Sequence, residues 1–88
     1  MNIFYTTQFK RDYKRIKKQQ KDLEKLSNII NCLVTNKILS PKYRDHQLSG
    51  KWSGHRDFHI EPDWILIYRI TSDTLYLERT GSHSDLFE

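Results

Sequence analysis

The sequence lacks most of what disulfide-rich, membrane-spanning and secreted proteins need. Its one cysteine, Cys32, cannot form an internal disulfide or a cysteine-rich zinc site, and we interpret it as a small buried apolar residue. No stretch approaches the roughly 20 apolar residues that span a bilayer, and the N-terminus lacks the charged-then-apolar order of a signal peptide. The 88 residues predict a single cytoplasmic domain, residues 1–88, without membrane contact.

Acidic residues are scarce in the first half of the chain. Residues 1–45 hold eleven Lys and Arg against four Asp and Glu, a balance of +7, whereas residues 46–88 hold four against seven, a balance of −3. All four histidines lie in the second half. The division predicts a basic binding half and a chemically active half, although a solvated helical face alone would also be basic.

Apolar spacing predicts two helices after a short N-terminal edge strand. Phe9, Tyr13 and Ile16 stand at i, i+4 and i+7, behind threonines that can cap the helix. Leucine, isoleucine and valine repeat at helical spacing over residues 23–34, and Pro41 predicts the end of this second helix, because the residue before a proline avoids the α region. The polar break between the two helices predicts a helical hairpin.

From Trp52 onward the apolar period changes to two, which predicts three antiparallel strands in a meander. Breaks at Pro62 and Asp73 separate the alternating segments. The helices have to cover one face of the sheet to bury it. The predicted fold class is therefore α+β, with the N-terminal edge strand and the two-helix hairpin packed on an antiparallel sheet that ends in the meander.

Titratable residues are predicted to gather at one end of this sheet. The turn at Pro62 brings Asp63 back beside His59, because consecutive antiparallel strands are neighbours. In the last predicted strand Arg79 and His83 stand an even number of residues after Leu75 and Leu77, so alternation puts all four side chains on the same face. We expect these groups to form a polar, basic cleft where the helical cover ends.

Three motifs in the second half carry a family resemblance: "HQLSGKW" from residue 46, "RDFHIEPDW" from residue 56 and "RTGSHSDLF" from residue 79. Together they resemble the YafQ family of bacterial toxins, in the RelE/ParE superfamily of type II toxin–antitoxin modules. The match runs without a gap over half the chain, and the first 44 residues agree in pattern as two basic helices. The resemblance implies a RelE-like fold and an endoribonuclease that cuts mRNA in the ribosomal decoding site.

The resemblance also implies which residues act. The family's catalytic positions fall on His46, His59, Asp63 and His83. Positions that could stack on or hold RNA fall on Arg56, Trp64, Arg79 and Phe87. Candidate contacts with the ribosome or an antitoxin are the basic helix residues Lys14, Lys17, Lys18 and Lys21. The implied partner is a DinJ-like antitoxin in a heterotetramer, with operator DNA reached only through that antitoxin.

The residue types suit RNA cleavage without a metal or cofactor. Such a reaction needs a base for the 2′-hydroxyl, an acid for the departing 5′-oxygen and cations for the crowded phosphate. Histidine, with an unperturbed pKa near ~6.5, can be base or acid at neutral pH, and which histidine takes which part stays open. His55 falls on a variable position of the family motif and is therefore not expected to be catalytic. Along a strand it stands about 13 Å from His59, which is too far for the two histidines to bind one metal ion.

Each candidate also has a purely structural interpretation. A lone histidine at the end of a sheet is usually a surface or packing residue, Trp64 could belong to the core, and Asp63 could only shape the turn after Pro62. Trp52 is best explained as a core residue. The alternative function is a non-catalytic binding module of the same fold, such as a ParE-type toxin that acts on gyrase, which would not need the set of histidines.

Overall fold

The structure, a computed structural model, describes residues 1–35 and 46–87. In chain order its elements are β1 (Asn2–Tyr5), α1 (Thr7–Lys18), α2 (Leu23–Val34), β2 (His46–Gln47), a 3₁₀ turn (Gly50–Trp52), β3 (Arg56–Glu61), β4 (Trp64–Ile70), β5 (Thr74–Gly81) and α3 (His83–Phe87). The predicted α+β class is confirmed. The second helix ends at Val34, earlier than the predicted stop at Pro41, and Pro41 itself lies outside the described residues. None of the helices described in residues 1–35 and 46–87 is long and apolar enough to cross a membrane.

The helical hairpin is defined by side-chain caps at both helix starts. The Thr6 hydroxyl accepts a hydrogen bond from Phe9 N at 3.0 Å, and Asp22 Oδ1 accepts one from Glu24 N at 3.1 Å. Each cap satisfies an amide that the first helical turn leaves without a partner. Between the helices Gln20 has φ 59, a left-handed conformation that reverses the chain within a few residues.

The five strands form one mixed sheet in the order β1-β5-β4-β3-β2. The predicted meander β3-β4-β5 is antiparallel, and β1 lies at the edge as predicted. However, β1 pairs in parallel with β5, so the sheet is not wholly antiparallel. Parallel pairing is possible here because two helices separate β1 from the meander, and such a crossover can return the chain in the same direction. The short strand β2 at the other edge was not predicted.

The core lies on both faces of β4, the central strand. On one face the helices contribute Phe9, Ile16, Leu26, Ile29 and Leu33, which pack on side chains of β3, β4 and β5. On the other face Ile65 and Ile67 pack against Leu86 of α3, together with Leu48 and Trp52. Burial on both faces explains why β4 is the most apolar run in the sequence. Tyr13, predicted for the helical core, is 38% exposed at the edge of the stripe.

Two predicted strand boundaries are wrong, and both corrections matter for the site. β3 begins at Arg56 and not at Trp52, which lies in the 3₁₀ turn. β5 ends at Gly81, so His83 begins a helix and does not continue the strand. A register shift opposite Ile67 and Tyr68 also interrupts the alternation of β5, so that strand parity does not extend to the end of the strand.

Candidate active site

The β3–β4 turn and the start of α3 meet at one end of the sheet. There Asp63 Oδ1 lies 2.9 Å from His83 Nδ1 and accepts a hydrogen bond from His83 N at 3.0 Å. The His59 ring, on β3, lies 5.7 Å from the His83 ring between centroids. The structure thus brings together three of the four predicted catalytic residues, and we call this group the His59–Asp63–His83 cluster.

Asp63 orients the His83 ring. The backbone hydrogen bond from His83, followed by the bond from its ring, lowers the pKa of Asp63 below the ordinary value of an aspartate. The carboxylate is therefore ionised at neutral pH, and it favours a proton on Nδ1 of His83. That tautomer leaves the Nε2 lone pair available to a ligand, in a side chain that is 55% exposed.

Phe87 lies one helical turn after His83, with its ring centroid 6.1 Å from the histidine ring. Its side chain is 41% exposed, so a plane remains for an unpaired base beside the cluster. Trp64 is different, because its side chain is fully buried and its Nε1 donates to Thr80 Oγ1 at 2.9 Å. The predicted stacking of Trp64 on RNA does not fit this structure, in which the indole belongs to the core on the helical face of the sheet.

The two predicted phosphate-binding arginines are not equivalent. Arg79 donates to both oxygens of Asp12, from Nε at 2.7 Å and Nη2 at 3.1 Å, and these bonds raise its pKa above the ordinary value. The Arg79 guanidinium therefore binds a carboxylate of the protein itself, which leaves fewer of its donors for a phosphate. Arg56 begins β3 three residues before His59, about 10 Å away along the strand, and regular alternation puts the two side chains on opposite faces.

The fourth predicted catalytic residue, His46, begins β2. The backbone register pairs it with Asp57, two residues before His59 on the neighbouring strand. Its side chain lies outside what the structure describes, and its catalytic part stays a prediction. His55 binds elsewhere: its Nε2 lies 2.6 Å from Glu78 Oε2, and its ring meets the edge of Trp52.

One of the four predicted contact lysines lies beside the cluster. Lys14, Lys17 and Lys18 are exposed on α1. Lys21, in the α1–α2 turn, places Nζ 5.6 Å from the centre of the Trp64 ring and contributes to the lowered pKa of Asp63. Of these four lysines, Lys21 is the one whose charge acts on Asp63.

Sequence reasoning missed three charged residues that support this end of the sheet: Asp12, Arg15 and Asp85. The pattern Ser-x-x-Asp at residues 82–85 is a capping signal and could have predicted the start of α3. Nothing local marks the other two, which contact a strand more than sixty residues away, as Arg15 does with Thr80 at a separation of 65 residues.

A helical hairpin over a mixed sheet, with the cluster at one end, defines a toxin of RelE-like fold. The family model described as "Bacterial toxin of type II toxin-antitoxin system, YafQ" matches residues 1–88, and the chain belongs to the YafQ family. It is 46% identical over 87 residues to the mRNA interferase toxin YafQ of Escherichia coli K12, covering 98% of this chain and 95% of that protein. The predicted family and fold are confirmed.

Solved structures give the same result. The crystal structure of YafQ from E. coli BL21(DE3) has a TM-score of 0.94 and 44% identity, covering 99% of this chain and 98% of that one. The toxin chain in a crystal structure of the E. coli DinJ–YafQ complex has a TM-score of 0.92 and 45% identity, with the same coverage of 99% and 98%.

Proposed function

We propose that this protein is an mRNA interferase, a toxin that cuts mRNA in the ribosomal decoding site in the cytoplasm. The observation that carries the proposal is the His59–Asp63–His83 cluster, in which one histidine is oriented by an ionised carboxylate and a second lies 5.7 Å away. Two imidazoles at this spacing can flank a single phosphodiester. One can take a proton while the other supplies one.

In the proposed reaction the 2′-hydroxyl of the RNA attacks the adjacent phosphorus. One histidine accepts the hydroxyl proton, and the other protonates the 5′-oxygen as the P–O bond breaks. The products are a 2′,3′-cyclic phosphate and a 5′-hydroxyl. The exposed ring of Phe87 can hold an unpaired base by stacking, worth roughly 1 to 3 kcal/mol in comparable sites. His46 is proposed as a further member of the site, from the family match and its place in β2.

A cation is needed where negative charge builds up on the phosphate. Arg79 is engaged by Asp12, whereas the partly exposed Lys21 lies over Trp64 and acts on the charge of Asp63. We therefore assign Lys21 to the reacting phosphate. Lys14, Lys17 and Lys18 remain proposed contacts with the ribosome.

Lys21→Gln is expected to lower kcat by about tenfold or more, because a cation that acts on developing charge affects the transition state more than the bound substrate. Lys18→Gln removes the same charge from α1 and should mainly raise KM, in a small step that high salt reduces. Cleavage rates measured at saturating ribosome concentration separate the two effects. Equal small rises in KM for both variants, with kcat unchanged, would show that Lys21 contributes only to binding.

The proposed partner is a DinJ-like antitoxin, and a groove on the helical side suits part of it. The groove, of about 520 Å³, runs between β1, α1 and α2. Its apolar lining includes Tyr5 and Tyr13, which are 44% and 38% exposed, and Lys10 and Lys14 also line it. An amphipathic antitoxin segment with acidic residues would complement both features. A heterotetramer, and operator DNA bound through the antitoxin, complete the proposal.

The test is cleavage of a defined message on programmed ribosomes by the purified protein. Cuts should appear within the reading frame when the free protein is added, and should disappear when it is first bound to its antitoxin. A message that stays intact, with gyrase–DNA complexes trapped instead, would favour the non-catalytic ParE-like alternative. The same assay should be run on RNA without ribosomes. Comparing the two shows whether cleavage depends on the ribosome.

A further inference from the structure

A buried carboxylate joins the first helix to the end of β5. Asp12 is 2% exposed. Its Oδ2 accepts from Arg79 Nε at 2.7 Å and from Thr80 N at 3.1 Å, and its Oδ1 accepts from Arg79 Nη2 at 3.1 Å and Arg15 Nη1 at 3.0 Å. Four donors on two oxygens satisfy a charge that would otherwise be costly to bury. Two arginines are thereby held in one orientation at the strand end.

Arg15 carries this link onward to the turn before α3. Its Nη1 is bound to Asp12, while Nη2 donates to the carbonyl oxygen of Thr80 at 3.0 Å and lies 3.6 Å from Asp85 Oδ2. The guanidinium passes so close to the backbone that a Cβ on Gly81 would lie 2.5 Å from Nη2 and 3.0 Å from Asp85 Oδ2. Only glycine leaves room for this contact, so the strand end and the arginine fit each other directly.

Asp85 in turn defines where α3 begins. Its Oδ2 accepts from Ser82 N at 3.1 Å, and its own amide donates to Ser82 Oγ at 3.2 Å, which is a reciprocal cap. The bond from the Ser82 amide is the main cause of the lowered pKa of Asp85, and Arg15 adds to it. The residue that this cap places first in the helix is His83.

We propose that Arg15, anchored on Asp12, is a positioning residue for His83. By holding the Thr80 carbonyl and the Asp85 carboxylate together, it fixes the turn from β5 into α3, and thereby the His83 ring over Asp63. The effect on cleavage rests on the proposed function, whereas the effect on the turn does not. Asp12 is the poorer test residue, since its removal would leave two guanidinium groups without their buried partner.

The experiment compares Arg15→Gln with Arg11→Gln, which removes the same charge from an exposed position on the same helix. Arg15→Gln should lower kcat by about 10- to 100-fold with KM changed little, because misplaced catalytic groups lose rate while binding elsewhere persists. Amide hydrogen exchange should quicken at His83 and Leu86, whose N–H groups bond Asp63 and the Ser82 carbonyl, and stay slow in β4. Arg11→Gln should change neither, and Arg15→Lys should recover part of the rate.

A second arm repeats Arg15→Gln in a protein that already carries His83→Ala. If Arg15 acts through His83, the residual rate should fall no further. A fall by the same factor in both backgrounds, or a rate and exchange pattern like those of Arg11→Gln, would overturn the proposal. If Arg15→Gln does not fold, Asp85→Asn takes its place with the same readouts, because it weakens the pair yet keeps an oxygen for Ser82.

The two proposals fail in different ways. A wild-type protein that leaves every message intact refutes the proposed function, and the exchange rates alone then decide on positioning. Faster exchange at His83 and Leu86 in Arg15→Gln would support it, and unchanged exchange would overturn it. Cleavage by the wild type, with loosened amides but an unaltered kcat in Arg15→Gln, would remove Arg15 from any part in the reaction.

Discussion

Replacing the 2′-hydroxyl by hydrogen at the single nucleotide before the cut is expected to abolish cleavage at that bond. The proposed base at the His59–Asp63–His83 cluster would then have no nucleophile to activate, while stacking and phosphate contacts would be retained. Loss of rate should exceed about 10³-fold, since water is neither held nor aligned for attack. The measurement is primer extension on ribosomes programmed with matched ribo- and deoxy-substituted messages.

Binding provides the control for this substitution. The deoxy message should occupy the toxin–ribosome complex as the normal one does, and it should compete with it. Products of the normal message should carry a 5′-hydroxyl and a 2′,3′-cyclic phosphate, or the 3′-phosphate that forms from it. Cleavage of the deoxy message at the same bond, or products with 5′-phosphates, would make water the nucleophile and refute the proposed chemistry.

The proximity of His59 and Asp63 could be predicted because it follows from the local order of strand, turn and strand. Alternation defines β3 and β4, and the turn at Pro62 joins them as neighbours, so both residues must lie near the same end of the sheet. These relations need no knowledge of distant contacts. The family match adds the functional meaning of the residues, which strand geometry alone does not contain.

His83 lies in the predicted site, but at the start of a helix and not on the strand that alternation predicted. Alternation extends β5 to His83, but the register shift opposite Ile67 interrupts it, and the cap between Ser82 and Asp85 starts a helix there. The ring therefore turns toward Asp63 from a helix end. Competition between a strand continuation and a helix cap depends on tertiary contacts, here the packing of Leu86 on the open face of β4.

Unlike Asp85, whose capping pattern with Ser82 is local, the supporting charges Asp12 and Arg15 could not be predicted from the sequence. A charged residue on an amphipathic helix normally faces solvent, and Asp12 is buried only because Arg79 and Thr80, 67 and 68 residues away, come to meet it. The prediction that Trp64 stacks on RNA does not fit the structure for the same reason, because distant contacts bury its side chain. A tryptophan after a turn suggests an exposed platform, but β4 is the central strand and Lys21 covers the ring.

His83→Ala and His59→Ala are each expected to lower cleavage by about 10² to 10⁴-fold, because each removes one proton-transfer group. The fold should survive, particularly for His83→Ala, since that side chain is 55% exposed and the backbone amide that binds Asp63 remains. Single-turnover rates on ribosomes measure the chemical loss, and thermal unfolding measures the fold. His55→Ala is the matched control, expected to keep the cleavage rate while losing the bond to Glu78.

The pH dependence of the cleavage rate should reflect the titration of His59 and His83 and not that of Asp63. The lowered pKa of Asp63 keeps it ionised throughout the neutral range in which histidines titrate, so neither limb of the rate profile should belong to it. The wild-type rate should rise as the base loses its proton and fall as the acid does, and each histidine variant should lose one limb. If His83→Ala keeps both limbs, or if its low rate accompanies a collapsed thermal transition, then His83 is a structural residue and the proton-transfer pair must be sought elsewhere, beginning with His46.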